Sequence, residues 1–129
     1  MADTVLTTTI FNSENRLVVH LTNRSDGTGE SGVVKVDKSA FTGPNGLEPT
    51  NFVVEKIIYD ITTMRVTLLW DRTTDQEIAV LQGNGEIDWT SAGGLLRTGA
   101  GDTGDITLTT ANHSSGDGYD ITLYLRKKD

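Results

Sequence analysis

The chain has 129 residues, a formal net charge of -7, 14 glycines and no cysteine. This length suits one folded domain with its own core, and the acidic balance argues against a protein that holds nucleic-acid backbones through clustered lysine and arginine. Without cysteine, the chain has no disulfide, no thiolate metal site and no cysteine nucleophile. We expect a single domain over residues 1–129 and no nucleic-acid partner.

The start, MADTVLTTTIF, lacks the basic and apolar regions of a secretory signal. No window of the sequence approaches the roughly 20 apolar residues of a membrane-spanning helix. We therefore expect synthesis in the cytoplasm and no membrane partner.

Alternation of apolar and polar residues, with many Val, Ile and Thr, predicts about eight β-strands. In chain order they cover residues 4–11, 16–22, 32–37, 52–61, 65–70, 77–81, 105–110 and 119–126, with a short ninth strand at 86–89. The window FVVEKIIYDITTM also has an apolar spacing that a helix could use, but its β-branched and aromatic composition favours a strand.

Two hairpins are predicted. The stretch Asp-Ile-Thr-Leu occurs at 105–108 and again at 120–123, with a spacer rich in Ser, Gly, Asp and Asn, which indicates paired strands sharing one apolar face and followed by a basic tail. The pair Asn84-Gly85 is typical of a tight turn and would join EIAVLQ to EIDW.

Short strands without intervening helices predict an all-β antiparallel sandwich or barrel. Long connections mixed with tight ones favour Greek-key crossing, so we predict an antiparallel β-sandwich, an eight-stranded jelly roll. An immunoglobulin-like sandwich is the alternative, although its Cys-Trp-Cys pattern is missing.

No residue pattern in the chain indicates catalysis. His20 and His113 are the only histidines, and neither has metal-site spacing or a neighbouring nucleophile. His20 is predicted to face solvent or a neighbouring subunit, because Val19 and Leu21 occupy the other face of its strand. The loop GTGESG lacks the Lys and the helix of a phosphate-binding loop.

Acidic residues near glycines offer the best case for a ligand, because Ca²⁺ prefers oxygen-rich loops. They are Asp102, Asp105, Asp117 and Asp120. The same residue types form ordinary tight turns, and this second interpretation is favoured. We expect no catalytic residue, no cofactor and no metal.

Aromatic residues could form a platform that stacks on sugar rings, but Trp70 ends a dense apolar run and is predicted to lie in the core or at an interface. Trp89 opens a glycine-rich segment in which Leu95 and Leu96 have no strand to join. An exposed Leu-Leu pair beside a Trp is typical of an interface, so Trp89, Leu95 and Leu96 are candidates for self-association.

Four stretches, MADTVLTTTIF, VVHLTNRSDGTGESGVVKVDKSAFTGPNG, LLWDRTTDQEIAVLQGNGEIDW and GDTGDITLTTANHSSGDGYDITLYLRKKD, carry a resemblance that covers nearly the full length. With them the chain resembles small β-rich virion structural proteins of tailed bacteriophages, especially those of cyanobacterial and marine phages. The resemblance implies a capsid cement (decoration) protein on the outer surface of the head, with the major capsid protein as its partner.

The same resemblance implies a homo-oligomer, with a trimer expected because capsid lattices offer threefold positions. For such a protein we expect the capsid contacts in the N-terminal segment and in the loops 25–31 and 41–48. The candidate contact residues are Asp26, Thr28, Glu30, Phe41, Pro44 and Leu47. A carbohydrate-binding or other structural module of the phage tail or fibre is the alternative. A glycosidase is less favoured, because no two carboxylates can be assigned acid and nucleophile roles.

Overall fold

A computed structural model describes residues 4–13, 15–26, 30, 32–37, 40–42, 46–47, 49, 51–71, 76–94, 105–111 and 115–128. The strands are β1 (Thr4–Asn12), β2 (Arg16–Asp26), β3 (Val33–Val36), β4 (Asn51–Trp70), β5 (Gln76–Asp88), β6 (Ile106–Ala111) and β7 (Ser115–Lys128), with a 3₁₀ turn at Thr90–Ala92. None of the helical segments found in these ranges has the length and apolar character needed to cross a membrane.

The longest strand, β4, organises the fold because it pairs along both of its edges. One edge pairs with β5. The other edge pairs first with β7, over residues 51–61, and then with β6, over residues 65–70. The predicted strands at 52–61 and 65–70 are therefore one continuous strand of 20 residues.

A bulge in the middle of β4 turns this strand from one sheet into the other. Asp60 pairs with Asn84, and the next recorded pair is Arg65 with Gln82, so residues 61–64 lie opposite a single residue of β5. Extra residues on one strand bend it, and such bends form the corners at which strands switch sheets.

The strand order of the two sheets is that of a jelly roll. On one side of the corner the order is β1-β2-β7-β4-β5, and on the other side it is β3-β6-β4-β5. Because β4 and β5 each contribute to both sheets, seven continuous strands supply nine strand segments, five in one sheet and four in the other. The prediction of an all-β antiparallel fold is confirmed, and residues 52–64 lie in a strand rather than a helix.

One apolar core lies between the sheets. It includes Leu17, Val19 and Leu21 of β2 and Ile121, Leu123 and Leu125 of β7 from the first sheet, together with Ile106 and Leu108 of β6 from the second. Met64 at the corner and Trp70 at the end of β4 are also buried in it. Trp70, predicted for the core or an interface, thus belongs to the core.

The closing hairpin predicted from the Asp-Ile-Thr-Leu repeat is wrong. In the sheet order, β4 lies between β7 and β6. Ile106 of the first copy pairs with Trp70, and Ile121 of the second copy pairs with Tyr59, so each copy lies beside one half of β4. The repeat therefore places equivalent apolar side chains in the two sheets.

The predicted Asn84-Gly85 turn is also wrong, because both residues lie inside β5. Gly85 pairs with Tyr59 of β4 in a continuous ladder. The bend in β5 occurs at Gly83, whose φ of 76° lies in the left-handed region that glycine adopts easily. The glycine-rich segment thus marks the corner of the sandwich instead of the end of a strand.

Replacing Gly83 with Ala should lower the free energy of unfolding by about 1–2 kcal/mol, because a Cβ disfavours the left-handed backbone at this corner. A new Cβ at Gly83 would meet no atom within 4 Å, so the loss of stability would come from the backbone conformation and not from a steric clash. Urea denaturation measures it. Gly83→Asn is the matched variant and should lose less, because Asn adopts this conformation more readily; equal losses would contradict the assignment.

Candidate functional site

The edge strand β1 exposes large apolar side chains to solvent. Leu6 is 60% exposed, Ile10 58% and Phe11 53%. Among the described residues β1 pairs with β2 alone, and its other edge has no partner strand. Contiguous exposed apolar groups of this kind are typical of interaction surfaces.

The apolar surface of β1 continues onto the outer face of the first sheet. Phe11 pairs with Val18, and Val18 pairs with Tyr124. The ammonium of Lys56 lies 5.5 Å from the centre of the Tyr124 ring, a cation–π distance. Phe11 of β1, Val18 of β2 and Tyr124 of β7 therefore form a row across three adjacent strands, with an aromatic ring at each end.

His20 lies on the same outer face, opposite Thr8 of β1. Val19 and Leu21 are buried on the inner face, so the predicted orientation of His20 is confirmed. Its Nε2 lies 2.6 Å from Oδ1 of Asp120. The contact joins β2 to β7 at the solvent side of the sheet.

A polar cluster centred on Glu30 is buried at the opposite face of the first sheet. The Lys35 Nζ lies 2.6 Å from Oε2 of Glu30, and the two side chains are only 4% and 6% exposed. The Tyr119 hydroxyl and the Asn23 amide both donate to Oε1, at 2.6 and 2.8 Å. Pairing and hydrogen bonding of this kind are what allow charged groups to be buried.

The Glu30 backbone is fixed as firmly as its side chain. Its N–H donates to Thr110 Oγ1 at 2.8 Å, and its carbonyl accepts from the Thr110 N–H at 2.9 Å. Glu30 was predicted to contact the capsid, but its buried carboxylate has little surface to offer a partner. The residue instead fastens the segment before β3 to β6, β2 and β7.

A second polar cluster surrounds the ammonium of Lys127. Its Nζ donates to Asn12 Oδ1, to the Ser13 carbonyl at 2.5 Å and to the Thr42 carbonyl at 2.8 Å. It also lies 5.7 Å from the centre of the Phe41 ring. Burial lowers the pKa of this ammonium below its ordinary value of 10.5.

The Lys127 cluster lines a surface cavity of about 380 Å³. Phe41, a predicted capsid contact, forms one wall and packs edge-to-face on Phe52, with ring centres 6.0 Å apart. All three ammonium protons have acceptors within the protein, so the cluster joins the end of β1 and the segment 40–42 to β7. The Lys127 cluster therefore has a structural role, because it connects these three segments.

Trp89, predicted to mediate self-association, packs partly buried against the core. Its backbone N–H donates to the backbone carbonyl of Glu55 at 2.8 Å. The Glu55 carboxylate contacts Arg16 and lies 3.6 Å from Arg126, which also donates to the Gly93 carbonyl at 3.1 Å. The segment 89–93 is therefore attached to the sandwich at Trp89, through Glu55 of β4, and at Gly93, through Arg126 of β7.

Among the predicted contact residues whose side chains the structure describes, Leu47 is the most exposed, at 67%. The predicted sites Thr28, Pro44, Leu95 and Leu96 lie outside the described residues, as do Asp102 and His113. Asp26 is described in backbone only, at the end of β2. Over the described ranges, no three His, Asp or Glu side chains form a group that could hold a metal ion.

Comparisons with known proteins add little to these observations. No protein-family model matches the chain, and no curated protein matches it. Among solved structures it is similar to a cupin superfamily protein from Desulfitobacterium hafniense, with 12% identity and a TM-score of 0.40 over 100% of this chain and 82% of that one. A likeness at this level carries no functional argument.

Replacing Glu30 with Gln should lower the free energy of unfolding by about 3 kcal/mol, because the Lys35 ammonium is then buried without a counter-charge. Urea denaturation measures the loss. The double variant Glu30→Gln, Lys35→Met should recover part of it, since no uncompensated charge remains. A double variant as unstable as the sum of the two single variants would contradict a direct ion pair.

Replacing Lys127 with Met should lower the free energy of unfolding by about 2–3 kcal/mol, because three acceptors lose their donor. The lowered pKa means that the folded state binds fewer protons than the unfolded state as pH approaches 10.5 from below. The stability of the wild type relative to Lys127→Met should therefore rise with pH in that alkaline window. A falling difference would contradict the lowered pKa.

Proposed function

We propose that the chain is a structural protein of a tailed-phage virion, a cement protein that binds the outer surface of the major capsid protein lattice and stabilises the head. The observation that carries the proposal is the location of its exposed apolar groups. Among the described residues, the large apolar side chains that are more than half exposed lie on the edge strand β1 and at Leu47, outside a sandwich whose interior is filled by its own core. Such a molecule is suited to bind other proteins through β1 and Leu47.

The sequence resemblance gives the proposal its specific form. The resembling stretches include residues 4–11 of β1 and the segment 18–46, which contains Glu30 and Phe41 and ends one residue before Leu47. A net charge of -7 suits a position outside the shell better than one against packaged DNA, since like charges repel. We place the protein on the outside of the head for this reason.

The two polar clusters give the proposed contact region a rigid base. Lys127 fixes the Thr42 carbonyl, and Phe41 packs on Phe52. Leu47 follows shortly after this anchored segment. A contact group held near a fixed backbone loses little conformational entropy on binding, which favours affinity.

Attachment would combine several modest contacts, because an oligomer bound to a regular lattice engages more than one site at once. Each subunit would bridge neighbouring capsid proteins and oppose the outward pressure of the packaged genome. The β-sandwich would provide a rigid scaffold, and β1 and Leu47 would provide the contacts with the capsid.

A glycan-binding module of the tail or fibre is less well supported by the aromatic residues. Trp70 and Tyr119 are buried, and Tyr59 and Trp89 pack against the core. Stacking on sugars needs open ring faces. These four rings do not form the exposed platform that this alternative requires, and the fifth ring, Tyr124 on the outer face, has the Lys56 ammonium 5.5 Å from its centre.

Co-sedimentation of the purified protein with expanded phage heads that lack it tests the proposal. The wild type should pellet with the heads, and Leu47→Asp should weaken binding by about tenfold or more, as is typical for a contact near the centre of an interface. Val80→Asp, on β5, is the matched control, because Val80 is also an exposed apolar residue and is 49% exposed.

The Val80→Asp protein should bind like the wild type. Failure of the wild type to pellet with the heads would overturn the capsid proposal. Equal weakening by both substitutions would remove Leu47 from the contact surface. Glycan binding by a protein that ignores the heads would favour the tail or fibre alternative.

A further inference from the structure

The edge strand β1 has few of the features by which proteins usually prevent strand-to-strand association. Edge strands are typically protected by charged residues, proline or bulges. The sequence of β1, TVLTTTIFN, has no charged residue and no proline. By contrast, the edge strand β5 carries Glu77, Glu86 and Asp88.

The one protective irregularity in β1 is a bulge near its end. Thr9 pairs with Val19 and Phe11 with Val18, so Ile10 is the extra residue. From Thr4 to Thr9 the ladder with β2 is regular. Most of the free edge is therefore a straight, uncharged strand with backbone groups available for a further ladder.

The order of residues in β1 identifies the partner as a second copy of this chain. Read from Thr8 outward as far as the bulge, the sequence is nearly the same in both directions: Thr7 and Thr9, then Leu6 and Ile10. Two identical strands that pair antiparallel about a twofold axis meet in this reversed order. Such an interface must be self-complementary, and this strand is.

We propose that β1 pairs antiparallel with β1 of a second copy, with the twofold axis at Thr8. Thr7 then lies opposite Thr9 of the second copy, and Leu6 lies opposite Ile10. Cross-strand Thr–Thr and aliphatic pairs both stabilise antiparallel ladders. The pairing also removes from solvent part of the apolar surface of Leu6 and Ile10, which are both more than half exposed.

The pairing would join the first sheets of two molecules into one continuous sheet. In each molecule the order from the junction is β1-β2-β7-β4-β5, so the combined sheet has ten strands. The interface forms a closed twofold dimer, in place of the trimer expected from threefold capsid positions. The dimer uses β1 and not Leu47, so in it the capsid contact would rest on Leu47, and failure of dimerisation and failure of capsid binding are separate experimental results.

Thr8 provides a specific test, because the axis places its side chain opposite its own copy, with Cβ atoms about 5 Å apart. Light scattering after size-exclusion chromatography should give the wild type twice the monomer mass of 14.0 kDa. Thr8→Lys alone and Thr8→Glu alone should each give the monomer mass, because like charges would then face each other across the axis. An equimolar mixture of Thr8→Lys and Thr8→Glu should restore the dimer.

The exposed position of Thr8 on an edge strand makes both variants compatible with folding, which circular dichroism checks. Val80→Lys, on the edge strand β5, is the matched control and should remain dimeric. A wild-type monomer, a trimer unaffected by either charge, or a Lys–Glu mixture that stays monomeric would overturn the proposal. Binding of β1 to a different protein by an otherwise monomeric chain would also overturn it.

Discussion

The fold depends on one constraint: β4 must be long enough, and bent in the right place, to belong to both sheets. Its residues 51–61 pair with β7 and residues 65–70 with β6. The bulge between these regions buries Met64 and turns the strand through the corner, while Gly83 bends β5 beside it. Because β5, β6 and β7 all pair with β4, the two sheets are fixed relative to one another by covalent continuity and by one shared core.

With β4 at the centre, the remaining polar groups secure the periphery. The Glu30–Lys35 pair fastens the segment before β3, and Lys127 fastens the end of β1 and the segment around Phe41. Both clusters satisfy their charged groups internally, so they stabilise the architecture without presenting chemistry to a ligand. In the part of the chain that the structure describes, the most exposed large apolar side chains lie on the edge strand β1 and at Leu47.

Local alternation predicted strands at the right places, since apolar side chains at every second position of β2 and β7 point into the core, but it divided β4 and β5 into two strands each. Pairing was harder to predict, because the two Asp-Ile-Thr-Leu copies have the composition of a hairpin yet each pairs with β4, a strand distant in sequence. The inward position of Lys127 was available from the sequence, because it continues the alternation of Ile121, Leu123 and Leu125. The Glu30–Lys35 pair was not, since it depends on how an irregular segment approaches the core. Sequence reasoning also treated Trp89 as an open surface, while backbone contacts with Glu55 hold its segment against the sandwich.

Amide hydrogen exchange resolved along the chain, at low and high protein concentration, tests most directly whether the free edge of the sandwich is its self-association surface. The amides of β4 should be protected at both concentrations, because this strand is paired on both edges. The amides of β1 that do not face β2 should gain protection only at high concentration, when a second copy covers them. Exchange of these β1 amides at the same rate at both concentrations, in a protein whose mass increases with concentration, would contradict the account.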